Sequence, residues 1–197
     1  MKKIFILILF FTISLTNINF AYSTSPDVFI QSTVNRASEL LSKNITKKEK
    51  MNELKIIAKE IVDIRGIGFY SLGSVRKNLD QKQKEKYSKL FEEYFLKSFS
   101  SRLAEYTDPE IEVKNQEILN KNYTIVKSVL VNTTERPEVL IDWRVYTKNP
   151  DKPLIRDLIV EGLSLARTQK EEFASILNSN NNDVNILITK LKEFVNN

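Results

Sequence analysis

The 197-residue sequence contains no cysteine and no histidine, and only four glycines, five prolines and one tryptophan. These absences exclude whole classes of chemistry. Without Cys or His there is no thiol nucleophile, no Ser-His-Asp triad, no zinc finger and no imidazole proton shuttle. Any catalysis would rest on carboxylates, lysines or tyrosines. No disulfide can staple the fold, so it must be held by a hydrophobic core, which this length permits. Residues that are 42% apolar and 28% charged are ordinary for a globular chain, too apolar for disorder and too charged for a multi-span membrane protein.

Long apolar runs are equally scarce, with one exception at the start. Lys2 and Lys3 precede an apolar stretch from Ile4 to Leu15, and Ala21-Tyr22-Ser23 supplies small residues at a cleavage site. This pattern is that of a secretory signal peptide over 1–23. Twelve helical residues cover about 18 Å of a roughly 30 Å hydrocarbon core, too little for a spanning anchor. The expected mature unit is a single exported domain, 24–197. Its charge is uneven: residues 24–100 carry 15 basic and 10 acidic side chains, and residues 101–197 carry 13 and 15. That asymmetry suits contact with anionic surfaces but is too small to indicate nucleic-acid binding.

Helical signals fill the first half. Ser25-Pro26-Asp27 reads as a helix start, Thr46 with Glu49 and Asp80 with Gln83 as capping boxes, and Asp63 to Gly73 as a short helix. The longest helix is expected to run to about Tyr106. At Thr107-Asp108-Pro109 the period changes from 3.6 to 2, and four strand candidates follow: around Ile111 and Val113, Tyr123 to Val131, Val139 to Tyr146, and Leu154 to Leu165. Two helices close the chain, one read as capped by Thr168 with Glu171, the other starting near Asp183. The predicted fold is therefore α+β, with N-terminal, long amphipathic and C-terminal helices on one face of a twisted antiparallel sheet of about four strands, a cone able to enclose an apolar pocket.

Between Tyr87 and Tyr106 lie six aromatics in 20 residues. They either pack the core or wall a cavity for a long hydrocarbon ligand, and one stripe can do both along its length. Ser74-Val75-Arg76-Lys77 matches S-x-x-K, but the partner motifs S-D-N and K-T-G do not occur in the chain. Asp142, Asp157 and Glu161 resemble paired acids, yet Arg144 and Arg156 on the same strands make cross-strand ion pairs on a solvated face the simpler reading. Arg76, Lys77, Lys82, Lys84, Lys86 and Lys89 place six cations in 14 residues, either a solvated helix face or a docking surface for anionic groups.

Three segments together resemble the MlaC family of exported phospholipid-binding proteins, also called toluene-tolerance or auxiliary organic-solvent-resistance proteins. Asp157-Leu158-Ile159-Val160-Glu161-Gly162-Leu163-Ser164 matches the family's D-x-x-x-E-G-x-S run. Ile141-Asp142-Trp143-Arg144-Val145 is similar to its preceding strand, and Leu72-Gly73 followed by Asp80, Gln83 and Tyr87 to its L-G turn and capped helix. Two positions depart from it: Arg76 stands where the family commonly has Trp, and Pro153-Leu154-Ile155-Arg156 where it has W-x-V-Y. The resemblance implies a NTF2-like cone and a periplasmic shuttle, monomeric and non-enzymatic, whose cargo is phospholipid and which needs no other cofactor and no metal. Its implied partners are phospholipid acyl chains, an inner-membrane ABC transporter complex with its MCE-type subunit, and an outer-membrane lipoprotein complex, and its implied role is maintenance of outer-membrane lipid asymmetry. From motif position and helical phase, the expected pocket walls are Leu72, Phe91, Tyr94, Phe95, Phe99 and Tyr106 on helices, and Val129, Trp143, Ile159, Leu163 and Leu165 on the sheet. A carrier of another lipid such as a hopanoid, a small hydrolase or isomerase working without His, and an adaptor whose stripe is only core are the alternative readings.

Overall fold

A computed structural model describes residues 24–131 and 137–197; the leader expected over 1–23 lies outside the described residues. Six helices and five strands follow in the order α1 (Pro26–Ser42), α2 (Lys47–Ile61), α3 (Ile64–Ser71), α4 (Gln81–Leu103), β1 (Ile111–Asn120), β2 (Tyr123–Leu130), β3 (Val139–Tyr146), β4 (Leu154–Val160), β5 (Leu163–Ser164), α5 (Leu165–Asn178) and α6 (Val184–Asn196). A 3-10 turn, Gly73–Lys77, joins α3 to the approach of α4. The strands form one antiparallel meander in sequence order. The α+β architecture read from the sequence is the architecture observed, with a fifth, two-residue strand added at the edge.

The capping chemistry explains most helix starts. Thr46 and Glu49 make a reciprocal box on α2, as do Asp80 and Gln83 on α4, each satisfying amides that the first helical turn leaves without partners. Ser25 occupies the cap position of α1 but turns its hydroxyl to Asp27 instead of the backbone. The predicted short helix over Asp63 to Gly73 resolves into α3 plus the 3-10 turn, with Asp63 capping the Gly66 amide at 2.8 Å. The long helix stops at Leu103, three residues before Tyr106.

The largest departure from the sequence reading is at the last strand. Leu154 to Leu165 is not one strand: β4 ends at Val160, Glu161 and Gly162 turn with φ of 49° and 79°, and β5 returns along it. Positive φ at both central residues is the hairpin geometry that matches sheet twist, and Gly162 adopts it without a Cβ penalty. Helix α5 then begins at Leu165, capped by Ser164 rather than Thr168.

Asp157 holds this junction together. Its side chain is 2% exposed and accepts hydrogen bonds from the Ser164 hydroxyl at 2.6 Å and the Ala166 amide at 3.0 Å. Arg144 on the neighbouring strand approaches it at 3.5 Å. Of the cross-strand ion pairs expected from the sequence, Arg144–Asp157 is present, with its carboxylate buried rather than solvated, while Arg156 pairs with Asp63 before α3 instead. Glu161, likewise, accepts from the Leu140 amide.

Helices α1, α3 and α5 pack on the sheet, while α4 rests on α2, α3 and α6. The main core joins Ile30, Val34, Ala58, Tyr87, Phe91, Val126, Val145, Phe173 and Leu187 among others. A smaller cluster of Leu40, Leu41, Leu54 and Ile57 sits between α1 and α2. Among the described residues no helix is long and apolar enough to cross a membrane.

Two changes probe this architecture. Asp157→Ala leaves Arg144 beside an emptied site and two helix-start donors unpaired, and is expected to cost about 3 kcal/mol in urea unfolding. A loss below the scatter of the measurement would mean that water replaces the carboxylate freely. Gly68→Ala places a Cβ 2.7 Å from Phe91 Cδ1, an overpacking expected to cost about 1–3 kcal/mol; an unchanged urea midpoint would contradict that tight contact.

Candidate functional site: an aromatic row between sealed core and surface

Along α4 the rings of Tyr87, Phe91, Phe95 and Phe99 recur every four residues and stack in sequence. Their centroids are 5.7, 6.3 and 5.7 Å apart. Residues i and i+4 lie above one another on a helix, so this spacing makes a continuous apolar row. Phe69 of α3 extends it at one end, 6.2 Å from Tyr87. Phe173 of α5 meets Phe91 edge-on at 6.1 Å. Each such pair adds about 1 kcal/mol beyond burial alone.

Burial falls along the row. Tyr87 is 0% exposed and Phe91 2% exposed, whereas Phe95 and Phe99 are only partly covered, packed against the same core. One end is sealed, and the other leaves large apolar rings in partial contact with solvent. Tyr87 closes the sealed end by donating its hydroxyl to the Gly68 carbonyl at 2.8 Å. Tyr94 flanks the row and donates to Gln169 Oε1 at 2.8 Å, with its ring 4.9 Å from that of Phe194.

On the sheet, Trp143 pairs with Val126 on β2 and Leu158 on β4, so the three side chains share the face that meets the helices. Its indole nitrogen donates to the Ser128 hydroxyl at 2.8 Å, and that hydroxyl donates to the Ile141 carbonyl at 2.9 Å. The half-buried Trp143 ring is thereby held in one orientation against the main core.

The structure brings together Leu72, Phe91, Tyr94, Phe95, Phe99 and Trp143 from the predicted wall: all belong to the main core or pack against it. Others lie elsewhere. Tyr106 packs on the separate cluster of Leu40, Leu41, Leu54 and Ile57. Val129 stands opposite Leu140, and Ile159 opposite Asp142; strand alternation puts both on the sheet face away from Trp143. Leu163 pairs with Val160 on the Trp143 face but is 59% exposed, and Leu165 is 45% exposed at the start of α5. Sequence reasoning missed Ser128 and Leu158 as supports of the wall, while Tyr87 stands in the aromatic stripe as expected. The register signal that reveals Leu158 becomes readable only once strand pairing is known.

Two recesses stand out on the surface. One of about 290 Å³ is lined by Tyr70, Gly73, Ser74, Arg76, Lys77 and Lys170. The other, about 390 Å³, lies among Lys59, Asp63, Arg65, Glu92, Lys152 and Leu154. Both are rich in charge, and neither is lined by a ring of the aromatic row. No cluster among the described residues has the donor set of a metal site.

These features define an α+β sheet-and-helix fold whose interior is walled by aromatic rings. The same fold occurs in the phospholipid-binding protein from Ralstonia solanacearum, solved in complex with a phospholipid: the TM-score is 0.73 over 87% of this chain and 97% of that one, at 17% identity. The intermembrane phospholipid transport system binding protein MlaC of Haemophilus influenzae is 24% identical over 178 residues, covering 86% of this chain and 82% of the relative. The family model described as MlaC protein matches residues 31–193, and the chain belongs to the MlaC family.

Burial, and secondarily the neighbouring Tyr94, pushes the Tyr87 hydroxyl far above the ordinary phenol value of 10.0. Burial, with Glu172 adding to it, also raises Tyr94. In the unfolded chain both phenols ionise near pH 10, so the native state holds more protons above that pH and its stability falls as pH rises. Stability should therefore be independent of the titration of these groups below about pH 10 and decline above it. Tyrosinate absorbance should show a fraction that ionises only as the protein unfolds; a single transition near the ordinary phenol value would show that these hydroxyls are open to solvent.

Proposed function

We propose that this protein is a periplasmic carrier that holds the acyl chains of a phospholipid between α4 and the sheet and moves the lipid between membranes. The observation that carries this reading is the aromatic row that begins sealed at Tyr87 and ends half covered at Phe99, within a member of the MlaC family. The phospholipid held by the Ralstonia structure and the transport role named for the Haemophilus relative support the same assignment.

In this reading Phe91, Tyr94, Phe95 and Phe99 part from their mutual stacking to admit hydrocarbon, with Leu72 and Trp143 as fixed walls. The exposed Leu163 and Leu165 form a greasy rim. Each buried methylene contributes roughly 0.8 kcal/mol, so acyl chains replace ring–ring contacts with a larger apolar gain. Because α4 rests on other helices, the space beside it is closed by side chains, whose rotamers change at lower cost than packed backbone. Tyr106, Val129 and Ile159 fall outside this wall. The partners we assign are an inner-membrane ABC transporter complex with an MCE-type subunit on one side and an outer-membrane lipoprotein complex on the other, with outer-membrane lipid asymmetry as the outcome. No step of this cycle needs a general acid, base or nucleophile.

Mass spectrometry of the native protein tests the reading. Phospholipid is expected to co-purify, and Leu163→Glu, at an exposed position, should lower the bound lipid several-fold while leaving the thermal transition in place. Protein that purifies free of lipid and extracts none from vesicles would overturn it.

A further inference from the structure

At the junction of α3, the 3-10 turn and α5, the charged side chains that line the recess are all cations. Arg76, Lys77 and Lys170 line it together with Tyr70, Gly73 and Ser74, and no carboxylate does. None of the three cations forms an ion pair among the described residues, although eight pairs hold other cations of the chain.

Two of these cations are positioned. Arg76 Nη1 donates to the Phe69 carbonyl at 3.2 Å, which fixes the guanidinium and leaves its other nitrogens to a ligand. Lys170 Nζ sits 5.2 Å from the centre of the Tyr70 ring, a contact that holds the ammonium in place without neutralising it. Gly73 makes the convergence possible. Its φ of 57° turns the chain after α3, and the Lys170 Cε lies 3.6 Å from the point a Gly73 Cβ would occupy. The turn thus brings Arg76 and Lys77 to the side where Lys170 arrives from α5.

We propose that this recess binds a phosphoryl group. Three cations gathered in one concavity repel one another, and an anion with several acceptor oxygens relieves that repulsion. An arginine fork flanked by two lysines suits a tetrahedral anion approached from several directions, whereas a planar carboxylate uses one fork. The recess, about 290 Å³, has room for a phosphoryl group. Lipid headgroups and free phosphate both present this chemistry. The recess is separate from the aromatic row, so its occupancy does not require that the interior hold acyl chains.

The test measures binding of the intact chain to phosphatidylglycerol vesicles, to phosphatidylcholine vesicles and to inorganic phosphate. Lys77→Glu with Lys170→Glu should weaken binding by at least about tenfold. Arg76→Lys, which keeps the charge, should also weaken it by removing the fork. Lys82→Glu with Lys86→Glu, on α4 and outside the recess, should have a smaller effect. Binding to phosphatidylglycerol that excess inorganic phosphate does not displace assigns the site to headgroups; binding of inorganic phosphate sensitive to the same variants assigns it to the free anion. Absence of both, or equal losses from the recess and α4 reversals with Arg76→Lys silent, overturns the site in favour of a diffuse positive field. Lipid that co-purifies with the Lys77/Lys170 variant at the normal level keeps failure of the recess distinct from failure of the interior.

Discussion

One buried carboxylate fixes how the last third of the chain is arranged. Asp157 accepts from the Ser164 hydroxyl and the Ala166 amide, while Ser164 in turn caps the Arg167 amide at 3.1 Å. Two helix-start donors of α5 are thereby satisfied by a strand residue and a cap residue that are bonded to each other. The strand, its return and the helix become one unit. Phe173 then reaches Phe91 and Lys170 reaches Tyr70 because α5 leaves the sheet at a defined point and direction. The D-x-x-x-E-G-x-S pattern has a direct physical meaning: a carboxylate to bind the next helix, two residues at positive φ to reverse the chain, and a hydroxyl to cap the helix and bond the carboxylate.

A second tie acts at the opposite end of β4. Val62 forms a parallel bridge with Ile155, and the Asp63 amide donates to the Ile155 carbonyl at 2.9 Å. Arg156 completes it by bonding Asp63 and the Tyr123 hydroxyl while lying 3.6 Å from the centre of the Tyr146 ring. Strand β4 is thus fastened to the α2–α3 corner as well as to α5. Helix α4 has no comparable backbone tie to the sheet and is held on α2, α3 and α6. The fold therefore fastens the sheet at both ends of β4 and holds α4 through side-chain contacts, so that the rings of α4 can change rotamer without strand pairing being lost.

Much of this was legible in the sequence because it rests on local rules. The capping boxes at Thr46 and Asp80, the change of period near Pro109 and the aromatic spacing on α4 each depend on residues a few positions apart. What was not legible depends on register. The bulge between Arg144 and Val145 in the pairing of β3 with β4 cannot be read from alternation, and neither can the face that Val129 and Ile159 occupy. Tyr106 was placed with the row by extending the helical phase past Leu103, where the helix has already ended. Leu163 and Leu165 continue the apolar pattern across the turn, so the split of the last strand shows in the sequence only as the bend that Gly162 permits. Only Glu161-Gly162 interrupts that pattern, and positive φ at Glu161 is unusual for a residue with a side chain.

The segment from Leu72 to Lys77 shows how one short turn divides two kinds of chemistry. Leu72 is 2% exposed and belongs to the main core; four residues later Arg76 lines a charged recess on the surface. The left-handed step at Gly73 makes the transition abrupt, since a residue with a side chain would resist that φ. An apolar wall and a cationic recess thus lie within one turn of chain, yet neither shares side chains with the other. A lipid carrier must handle both a hydrocarbon that needs a dry interior and a headgroup that must stay in water. In the carrier reading proposed for this chain, cations at the surface, on the outer side of a turn whose inner side is buried, would answer the second need without bringing charge into the aromatic row.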